Sequence, residues 1–353
     1  MKHSLRRLCV ALALSIATVA IVAAAASSAG GDYTVTNLVS DQPGHAAHVD
    51  PSLVNAWGLA ALPASPWWVS DNGTDVSTLY NAAGDKIPLT VGVKSAPSGL
   101  VANASGDFVI TRKGVSGPAL FIFSSESGKI RGWNPTVFTP ESVTVADRSN
   151  VGAVYKGLAV AWTAQGARLY ATDFHNGRVD VFDGHFNRID SPGAFIDREI
   201  PAGYAPFGIQ TIGSNVFVTY AKQDADRHDD VPGAGFGFVD VFDPSGNLLG
   251  RVASRGTLNS PWGLAWAPPG FGPFSGDLLV GNFGDGRISA FALRDGKYVL
   301  AGQLESNGEP LAIDGLWALQ FGHGEPGNGP ATTLFFTAGP DHEAHGLFGT
   351  ITG

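Results

Sequence analysis

Sulfur chemistry is almost absent from this sequence. Its 353 residues include one cysteine, Cys9, and one methionine, Met1. Both lie in the N-terminal segment 1–29, so the mature chain is expected to have no disulfide, no thiol nucleophile and no oxidisable thioether. The sequence also lacks a G-x-S-x-G elbow, the usual signature of a serine hydrolase. Stability must therefore come from a core of aromatic and β-branched side chains.

Positive charge is scarce as well. The chain has 22 Lys and Arg residues against 31 Asp and Glu residues, which gives a net charge of −9 at pH 7. Removing Lys2, Arg6 and Arg7 with the N-terminal segment moves the net charge of the mature chain to −12. An acidic protein of this kind is a poor partner for nucleic acids and anionic membranes.

The N-terminal segment has the features of a cleaved leader. A basic start precedes an apolar stretch at 8–26 and small residues at 27–29 that suit cleavage. An uncleaved transmembrane anchor is the alternative, although the apolar stretch is short and rich in alanine. We therefore expect residues 1–29 to be a signal peptide and residues 30–353 to form a secreted or periplasmic monomer with no membrane attachment.

A strand–turn–strand pattern recurs along the chain. Residues 169–182 combine an apolar run ending in Asp173, an Asn-Gly turn at 176–177 and a second alternating run. Asn-Gly between two apolar runs is a strong hairpin signal. The pattern returns at 278–291 and more loosely at 68–80. With 47 glycines, 22 prolines and no long helical periodicity, the chain is predicted to be all-β with many turns.

A glycine beside apolar residues precedes each repeat of this pattern. The six glycines are Gly58, Gly99, Gly157, Gly208, Gly263 and Gly315. A period near 50 residues, with about four strands in each repeat, is the signature of propeller blades. Glycine suits the innermost strand of a blade, because these strands crowd around the central axis. We predict one domain that folds as a six-bladed β-propeller.

Each repeat can be divided into strands A to D. Strand A carries the glycine, strand B is an apolar run such as residues 108–111 or 216–220, and strand C ends in an aromatic residue, as at 120–123. The sixth repeat ends after its third strand. Residues 33–39 form an isolated strand before the first repeat, and we predict that this N-terminal strand completes the last blade and closes the ring.

These repeats resemble known proteins. Through Asp173, Asn176 and Arg178, the third repeat resembles an NHL-type propeller repeat. Over nearly the whole mature chain, the sequence more closely resembles a family of exported bacterial propeller proteins of unknown function. The matching segments are 38–44, 50–59, 154–158, 203–207, 218–222, 258–264, 279–286, 314–319 and 336–339. The resemblance implies a propeller fold and export, and it implies no particular reaction.

The chain is more distantly similar to six-bladed gluconolactonase-like and paraoxonase-like hydrolases. Those enzymes hold a divalent cation over the central channel with Glu, Asn and Asp ligands, so the similarity implies a site for a cation such as Ca²⁺. The glutamate of that pattern has no counterpart at the opening of the first blade, where Asp50 and Asn55 are the nearest polar residues.

Candidate site residues follow from the propeller geometry. The B–C loops and the residues before strand A are expected to meet at one end of the channel, where loops on a rigid scaffold bind ligands. Aromatic faces suit sugars or flat ligands, and Asp and Asn oxygens suit Ca²⁺. The ligand-binding candidates are Trp57, Lys156, Phe207, Trp262, Asp314 and His175, and the metal candidates are Asp71, Asp173 and Asn282.

Each candidate also has a purely structural interpretation. The metal candidates recur at equivalent repeat positions, where they can brace the B–C turns through hydrogen bonds. The aromatic candidates can pack between blades. Lys156 and Asp314 are the stronger functional candidates, because a charge beside a crowded inner strand is costly unless it is paired or solvated. A structural ion pair is the alternative for these two residues.

The fourth B–C loop is lengthened by residues 222–230 and should overhang the channel. Its alternating acids lack the glycine and the final glutamate of an EF-hand, which favours a lid without metal.

Two functions are compatible with these observations. The first is a secreted binding module that presents its channel face to a small ligand, a carbohydrate or a protein. The alternative is a metal-dependent hydrolase or lactonase that polarises its substrate with a cation at the channel. A structural cell-surface protein is a third hypothesis. Whether the protein is an enzyme is left open by the sequence.

Overall fold

The inner strands of six antiparallel sheets follow one another around a central channel in a computed structural model that describes residues 32–353. The signal peptide predicted at 1–29 lies outside the described residues. Each sheet is one blade, and its strands are named A to D from the axis outward. The predicted all-β, six-bladed β-propeller is confirmed. Among residues 32–353, no helix is long and apolar enough to span a membrane.

The blades follow the order of the chain. Blade 1 comprises Ala56–Ala60, Trp67–Asp71, Val76–Tyr80 and Lys86–Gly92; blade 2 comprises Pro97–Ala102, Phe121–Ser125, Lys129–Trp133 and Val143–Asp147. Blade 3 comprises Tyr155–Thr163, Gly166–Asp173, Arg178–Asp183 and Arg188–Ile189; blade 4 comprises Tyr204–Ile212, Asn215–Lys222, Phe238–Phe242 and Leu248–Ser254. Blade 5 comprises Pro261–Trp266, Leu278–Asn282, Ile288–Arg294 and Lys297–Gln303; blade 6 comprises Leu316–Phe321, Leu334–Ala338, Leu347–Thr352 and Thr34–Ser40.

Short elements complete the structure. The helical segments are Pro135–Phe138, which is α-helical, and the 3-10 turns Asn72–Thr74, Ser149–Val151 and Gly272–Phe274. His48–Val49 adds a short parallel strand to the outer edge of blade 6. The remaining short strands form two hairpins, Val109–Arg112 with Val115–Pro118 and Glu305–Ser306 with Glu309–Pro310.

The N-terminal strand closes the ring, as predicted. Thr34–Ser40 pairs antiparallel with Leu347–Thr352, the last strand of the chain. The preceding Tyr33 is buried, and its hydroxyl donates a hydrogen bond to the carbonyl of Phe271 at 3.1 Å. The closing segment is therefore joined to blade 6 by backbone pairing and to blade 5 by packing.

The strand order predicted for blade 2 is wrong. Residues 108–111 were expected to form strand B, but Val109–Arg112 pairs with Val115–Pro118 in a separate hairpin. Strand B is Phe121–Ser125, which pairs with both strand A and strand C. The B–C loop of this blade therefore begins at Glu126, and the hairpin belongs to the A–B connection at the opposite end of the channel.

The inner strands approach one another closely. A Cβ atom at Gly208 would lie 2.1 Å from the carbonyl oxygen of Trp262 in the next blade, and one at Gly58 would lie 2.4 Å from that of Ser98. These separations are far shorter than van der Waals contact. The predicted reason for glycine in strand A, crowding around the axis, is confirmed at these positions.

Blade 6 departs from the predicted glycine pattern. In blade 3 the Gly157 N–H donates to the hydroxyl of Thr172 at 2.7 Å, and in blade 6 the Ala318 N–H donates to the hydroxyl of Thr337 at 3.1 Å. Ala318 is therefore the sixth member of the series, and the prediction that placed Gly315 there is wrong by three residues.

Candidate functional site

One residue on each inner strand is directed at the axis by a local irregularity. The pairing of strand A with strand B shifts between Ala56 and Leu59 in blade 1 and between Tyr155 and Leu158 in blade 3. Bulges of this kind change the direction in which side chains point. The residues at the equivalent positions, called here the axial ring, are Trp57, Ser98, Lys156, Phe207, Trp262 and Trp317.

The aromatic members of the axial ring form a cluster around Trp317. The Trp57 ring stacks on the Trp317 ring at 4.0 Å between centroids, and Phe283 stacks on Trp317 at 4.0 Å as well. Phe207 and Trp262 contact the same indole at 5.9 and 5.8 Å. Trp57, Phe207 and Trp317 are buried, whereas Trp262 and Phe283 remain partly exposed. Trp262 also lines a narrow space of about 20 Å³ inside the channel.

Lys156 is the charged member of the axial ring. Its side chain is 2% exposed, and its ammonium donates hydrogen bonds to Glu126 and to Oδ1 of Asp229, the latter at 3.0 Å. The ammonium also lies 5.1 Å from the centre of the Trp57 ring. Burial acts to lower the pKa of Lys156, but the carboxylates of Glu126 and Asp229 outweigh it and leave the pKa above 10.5. Lys156 therefore stays charged at neutral pH.

A hydrogen-bonded network surrounds this lysine. The Asn55 amide donates to Glu343 at 2.6 Å and to Asn72 at 3.2 Å, and the Asn72 amide donates to Glu126 at 3.0 Å. The Trp317 indole donates to the Asn55 carbonyl oxygen at 3.0 Å. Burial raises the pKa of Glu343 above 4.5, despite the amide of Asn55. The axial cluster, as we define it, consists of Asn55, Asn72, Glu126, Lys156, Asp229 and Glu343.

Two of the three predicted metal candidates, Asp173 and Asn282, form hydrogen bonds within their own turns. The Asp173 carboxylate accepts hydrogen bonds from the backbone N–H of Val154 at 3.2 Å and from the side chain of Asn176 at 2.7 Å. The Asn282 amide donates to the Thr257 carbonyl at 2.8 Å. Asp71 is fully buried, and burial raises its pKa well above 3.8, which favours the neutral acid. The contacts of Asp173 and Asn282 match the turn-bracing role that the repeat positions suggested, whereas the buried carboxyl group of Asp71 makes no such contact with its turn.

Asp314 and His175 lie apart from the axial cluster. Asp314 is exposed, three residues before the axial-ring position of its blade, and accepts a hydrogen bond from the Asp341 N–H at 2.8 Å. His175 is half-buried beside Gly152. Within residues 32–353, neither side chain has a hydrogen bond or ion pair with the axial cluster.

Of the six residues of the axial cluster, only Lys156 is among the predicted ligand-binding and metal candidates, and Ser98, Trp317 and Phe283 are not among them either. Glu126 was assigned to no loop because strand B of blade 2 was placed too early. Trp317 was missed because Gly315 was taken as the strand glycine. The signal for Trp317 is present in the chain, since Leu316-Trp317-Ala318-Leu319 repeats the pattern Ala56-Trp57-Gly58-Leu59 with alanine for glycine.

A metal-ligand set exists beside the lysine. Among the described residues, the only group of three or more His, Cys, Asp or Glu side chains with ligand atoms within 4.8 Å of one another is Glu126, His228 and Asp229. The Lys156 ammonium is bonded to two of these three side chains. Lys156 therefore occupies the position that a cation between Glu126 and Asp229 would need, and the set as arranged does not fit a metal ion.

The lengthened loop of blade 4 covers the lysine. This lid loop, residues 222–231, is closed by a hydrogen bond from the Val231 N–H to the Lys222 carbonyl at 2.8 Å. His228 contacts Asp229 at 2.9 Å, and Asp229 binds Lys156 although its own side chain is 63% exposed. The predicted position of the loop, over the channel, is confirmed.

Acid is expected to loosen the lid loop. Burial acts to raise the pKa of Asp229, but Lys156 outweighs it and holds the pKa below 3.8. The ion pair therefore stabilises the loop above pH 3.8 and is lost as the pH falls through the lowered pKa. We expect about threefold faster hydrogen exchange of the loop amides at pH 3 than at pH 5, after correction for intrinsic rates, as for a partly exposed ion pair.

The matched variant for this prediction is Asp229→Asn. Its loop amides should exchange at the faster rate at both pH 3 and pH 5, and the corrected rates at the two pH values should be equal. Equal corrected exchange of the natural protein at pH 3 and pH 5 would contradict the assignment.

Known proteins resemble this chain at two levels, sequence and fold. No protein-family model matches the sequence. An uncharacterised protein of Acanthamoeba polyphaga mimivirus is 36% identical over 333 residues, which cover 90% of this chain and 80% of the viral protein. A second uncharacterised mimivirus protein is 36% identical over 335 residues, which cover 90% of this chain and 85% of that protein. The chain belongs to the family of these viral proteins.

Solved structures show the fold of this family. A streptogramin B lyase superposes with a TM-score of 0.52 and 10% identity over 91% of this chain and 97% of the lyase. A protein of unknown function from Bacteroides thetaiotaomicron superposes with a TM-score of 0.57 and 12% identity over 90% of this chain and 76% of its own. At such identities the likeness establishes the propeller fold alone, because unrelated activities share this scaffold.

Proposed function

We propose that this protein is a secreted binding protein that holds a small carbohydrate at the end of the channel formed by the B–C loops. The observation that carries the proposal is Lys156, a buried charge paired with Glu126 and Asp229 beside the partly exposed rings of Trp262 and Phe283.

Packing alone does not explain this lysine. Four of the other five axial-ring positions are aromatic, and an aromatic or aliphatic residue would fill the same space. Burying a charge costs several kcal/mol of desolvation, which pairing offsets only in part. A lysine at this position therefore supports a role in binding.

The chemistry of the axial cluster suits sugar hydroxyl groups. Lys156 and the amide of Asn72 are donors, whereas Glu126 and Asp229 are acceptors. Two of the three N–H donors of the ammonium are bonded to Glu126 and Asp229. Aromatic faces next to such groups pack against the apolar face of a sugar ring. The lid loop lies over Lys156 through Asp229, which favours a small carbohydrate over a protein partner.

Export is the second part of the proposal. It is supported by the signal-peptide features of residues 1–29 and by the resemblance to exported bacterial propellers with NHL-type repeats. A protein without cysteine after cleavage is suited to an oxidising exterior.

Calorimetric titration with a panel of sugars tests the binding proposal. We expect saturable binding of at least one of glucose, galactose, mannose, N-acetylglucosamine or their trisaccharides. Trp262→Ala should weaken it at least tenfold, because stacking area and desolvation are lost together. The control is Trp266→Ala, a partly exposed tryptophan at the other end of strand A in the same blade. Absent binding across the panel, or binding that Trp262→Ala leaves unchanged, would contradict the proposal.

A metal-dependent hydrolase is the second candidate. The Glu126, His228 and Asp229 set would hold a cation only if Lys156 moved away, because the Lys156 ammonium is bonded to two of its three side chains. Elemental analysis of protein purified without chelators distinguishes the two candidates. One equivalent of a divalent ion that is lost on Glu126→Gln, together with lactone hydrolysis, would favour the enzyme.

A further inference from the structure

A cavity opens at one end of the channel. It has a volume of about 410 Å³ and lies where the inner strands end, on the side of the A–B hairpins. Its walls include Leu100, Ala102, Ala159, Ala161, Trp162 and Gln210. Lys156 and Trp162 lie near opposite ends of the same strand, Tyr155–Thr163. The cavity, called here the apolar funnel, is therefore at the opposite end of the channel from the axial cluster.

The channel is narrow between its two ends. One aliphatic residue of each inner strand borders it there and packs its side chain into the core between two blades, and these residues are Leu59, Leu100, Leu158, Ile209, Leu264 and Leu319. The space left beside them is about 20 Å³, which is room for about one water molecule. Trp262 of the aromatic cluster borders this narrow space from the side of the axial cluster, and Gln210 and Gln320 border it from the side of the funnel. The apolar funnel is thus a separate site from the axial cluster.

The shape of the funnel comes from small side chains beside a large one. Ala102, Ala159 and Ala161 leave the space open, while Trp162 at the rim is 54% exposed. An exposed tryptophan beside an apolar cavity offers a flat surface on which a ring can stack. The volume falls within the range of small-molecule sites.

The walls of the funnel also carry polar side chains, which are Gln210, Thr211, Ser214 and Gln320. None of the lining residues is charged. The side chains of Gln210 and Gln320 line it, and no hydrogen bond is formed by either within residues 32–353. The buried hydroxyl of Thr211 also has no partner there. Apolar walls with a few free hydrogen-bonding groups are typical of sites that orient a small ligand, and the lack of charge excludes an ionic one.

We propose that the apolar funnel binds a small uncharged molecule, mainly aromatic or aliphatic, that carries one or two hydrogen-bonding groups. Its apolar part stacks on Trp162 and fills the space beside Ala102, and the amides of Gln210 and Gln320 hold its polar group. This site is independent of carbohydrate binding at the axial cluster, and either proposal can fail without the other.

The uncharged dye N-phenyl-1-naphthylamine is a suitable probe, because its fluorescence rises in apolar surroundings. Titrated into the full-length protein, it should bind saturably with one dye per chain. Ala102→Phe places a ring in the cavity and should weaken dye binding at least tenfold. Trp162→Ala removes the stacking surface and should weaken it about fivefold, as expected for the loss of an aromatic contact.

The control is Leu249→Ala, which removes an exposed apolar side chain on the outer strand of blade 4 and should leave dye binding unchanged. Trp162→Ala keeps the test decisive if Ala102→Phe does not fold, because Trp162 is largely exposed. The proposal is overturned if no saturable binding occurs, or if folded Trp162→Ala protein binds the dye as tightly as the natural protein.

Discussion

Replacing Lys156 with methionine is expected to lower the free energy of unfolding by about 3 kcal/mol at pH 7, the magnitude typical of removing one partner from a buried ion pair. Methionine matches the aliphatic stem of lysine, so little packing is lost. The cost comes from Glu126, which is left largely buried near Asp229 and Glu343 without a cation. Urea denaturation followed by tryptophan fluorescence measures the change.

The same variant should show an altered pH dependence. Without the ammonium, burial is expected to raise the pKa values of Asp229 and Glu343 above those of the unfolded chain, because the lysine no longer lowers them. The folded state then binds more protons than the unfolded state. The loss in free energy of unfolding caused by Lys156→Met should therefore become smaller as the pH falls from 7 towards 4. Adding Glu126→Gln to the variant should recover part of the lost stability at pH 7, because it removes the unpaired charge.

Lys94→Met is the matched control for this experiment. Lys94 also pairs with a glutamate, Glu141 at 3.3 Å, but its side chain is 68% exposed. Exposed pairs contribute about 0.2–1 kcal/mol, so the control should change stability little. If the two substitutions lowered the free energy of unfolding equally at pH 7, burial would not be the reason why the Lys156 ion pair stabilises the protein.

The propeller could be predicted from local sequence because each blade repeats the same turn chemistry. The pattern at 169–182 became Gly166–Asp173 and Arg178–Asp183, paired through Asp173 and Arg178. The closing strand was predictable for a different reason. The last blade lacks one strand, and one strand precedes the first blade. Both would have unpaired edges, and pairing the N-terminal strand with the last blade removes these edges.

Blade 2 was misread because periodicity does not determine which strands pair. Val109–Arg112 is a short strand like its neighbours, but it pairs only with the hairpin partner Val115–Pro118. The strand that pairs with strand A is Phe121–Ser125, in which Ile122 lies opposite Val101. Pairing over this distance depends on tertiary packing, which a single sequence does not display.

The lysine of the site could be predicted, and its partners could not. Lys156 stood out because it is a charge beside an inner-strand glycine. Glu126 and Asp229 lie 30 and 73 residues away along the chain, on the loops of two other blades. Only the closure of the ring brings these loops together at the axis. The candidate site is therefore a product of the whole propeller, and its residues do not form a motif.

Gly208→Ala is expected to destabilise the protein by about 3 kcal/mol, at the upper end of the usual range for overpacking. The new methyl group would lie 2.1 Å from the carbonyl oxygen of Trp262. This neighbour is backbone of the next inner strand, so no side chain can move aside, and blades 4 and 5 must separate. Thermal unfolding and urea denaturation should both show the loss.

Gly106→Ala is the control that isolates crowding from the general effect of replacing glycine. No atom lies within 4 Å of a Cβ at Gly106, and its backbone does not have the positive φ that disfavours alanine. This substitution should be neutral or stabilising by about 0.4–1 kcal/mol, because it restricts the unfolded chain. The separation of blades in Gly208→Ala should also shift the tryptophan emission, since the Trp262 indole donates to the Lys156 carbonyl at 3.3 Å across the channel. If the two variants were equally stable, the inner strands would not be in close contact around the axis, and the geometry that holds Lys156 between its two carboxylates would have to be revised.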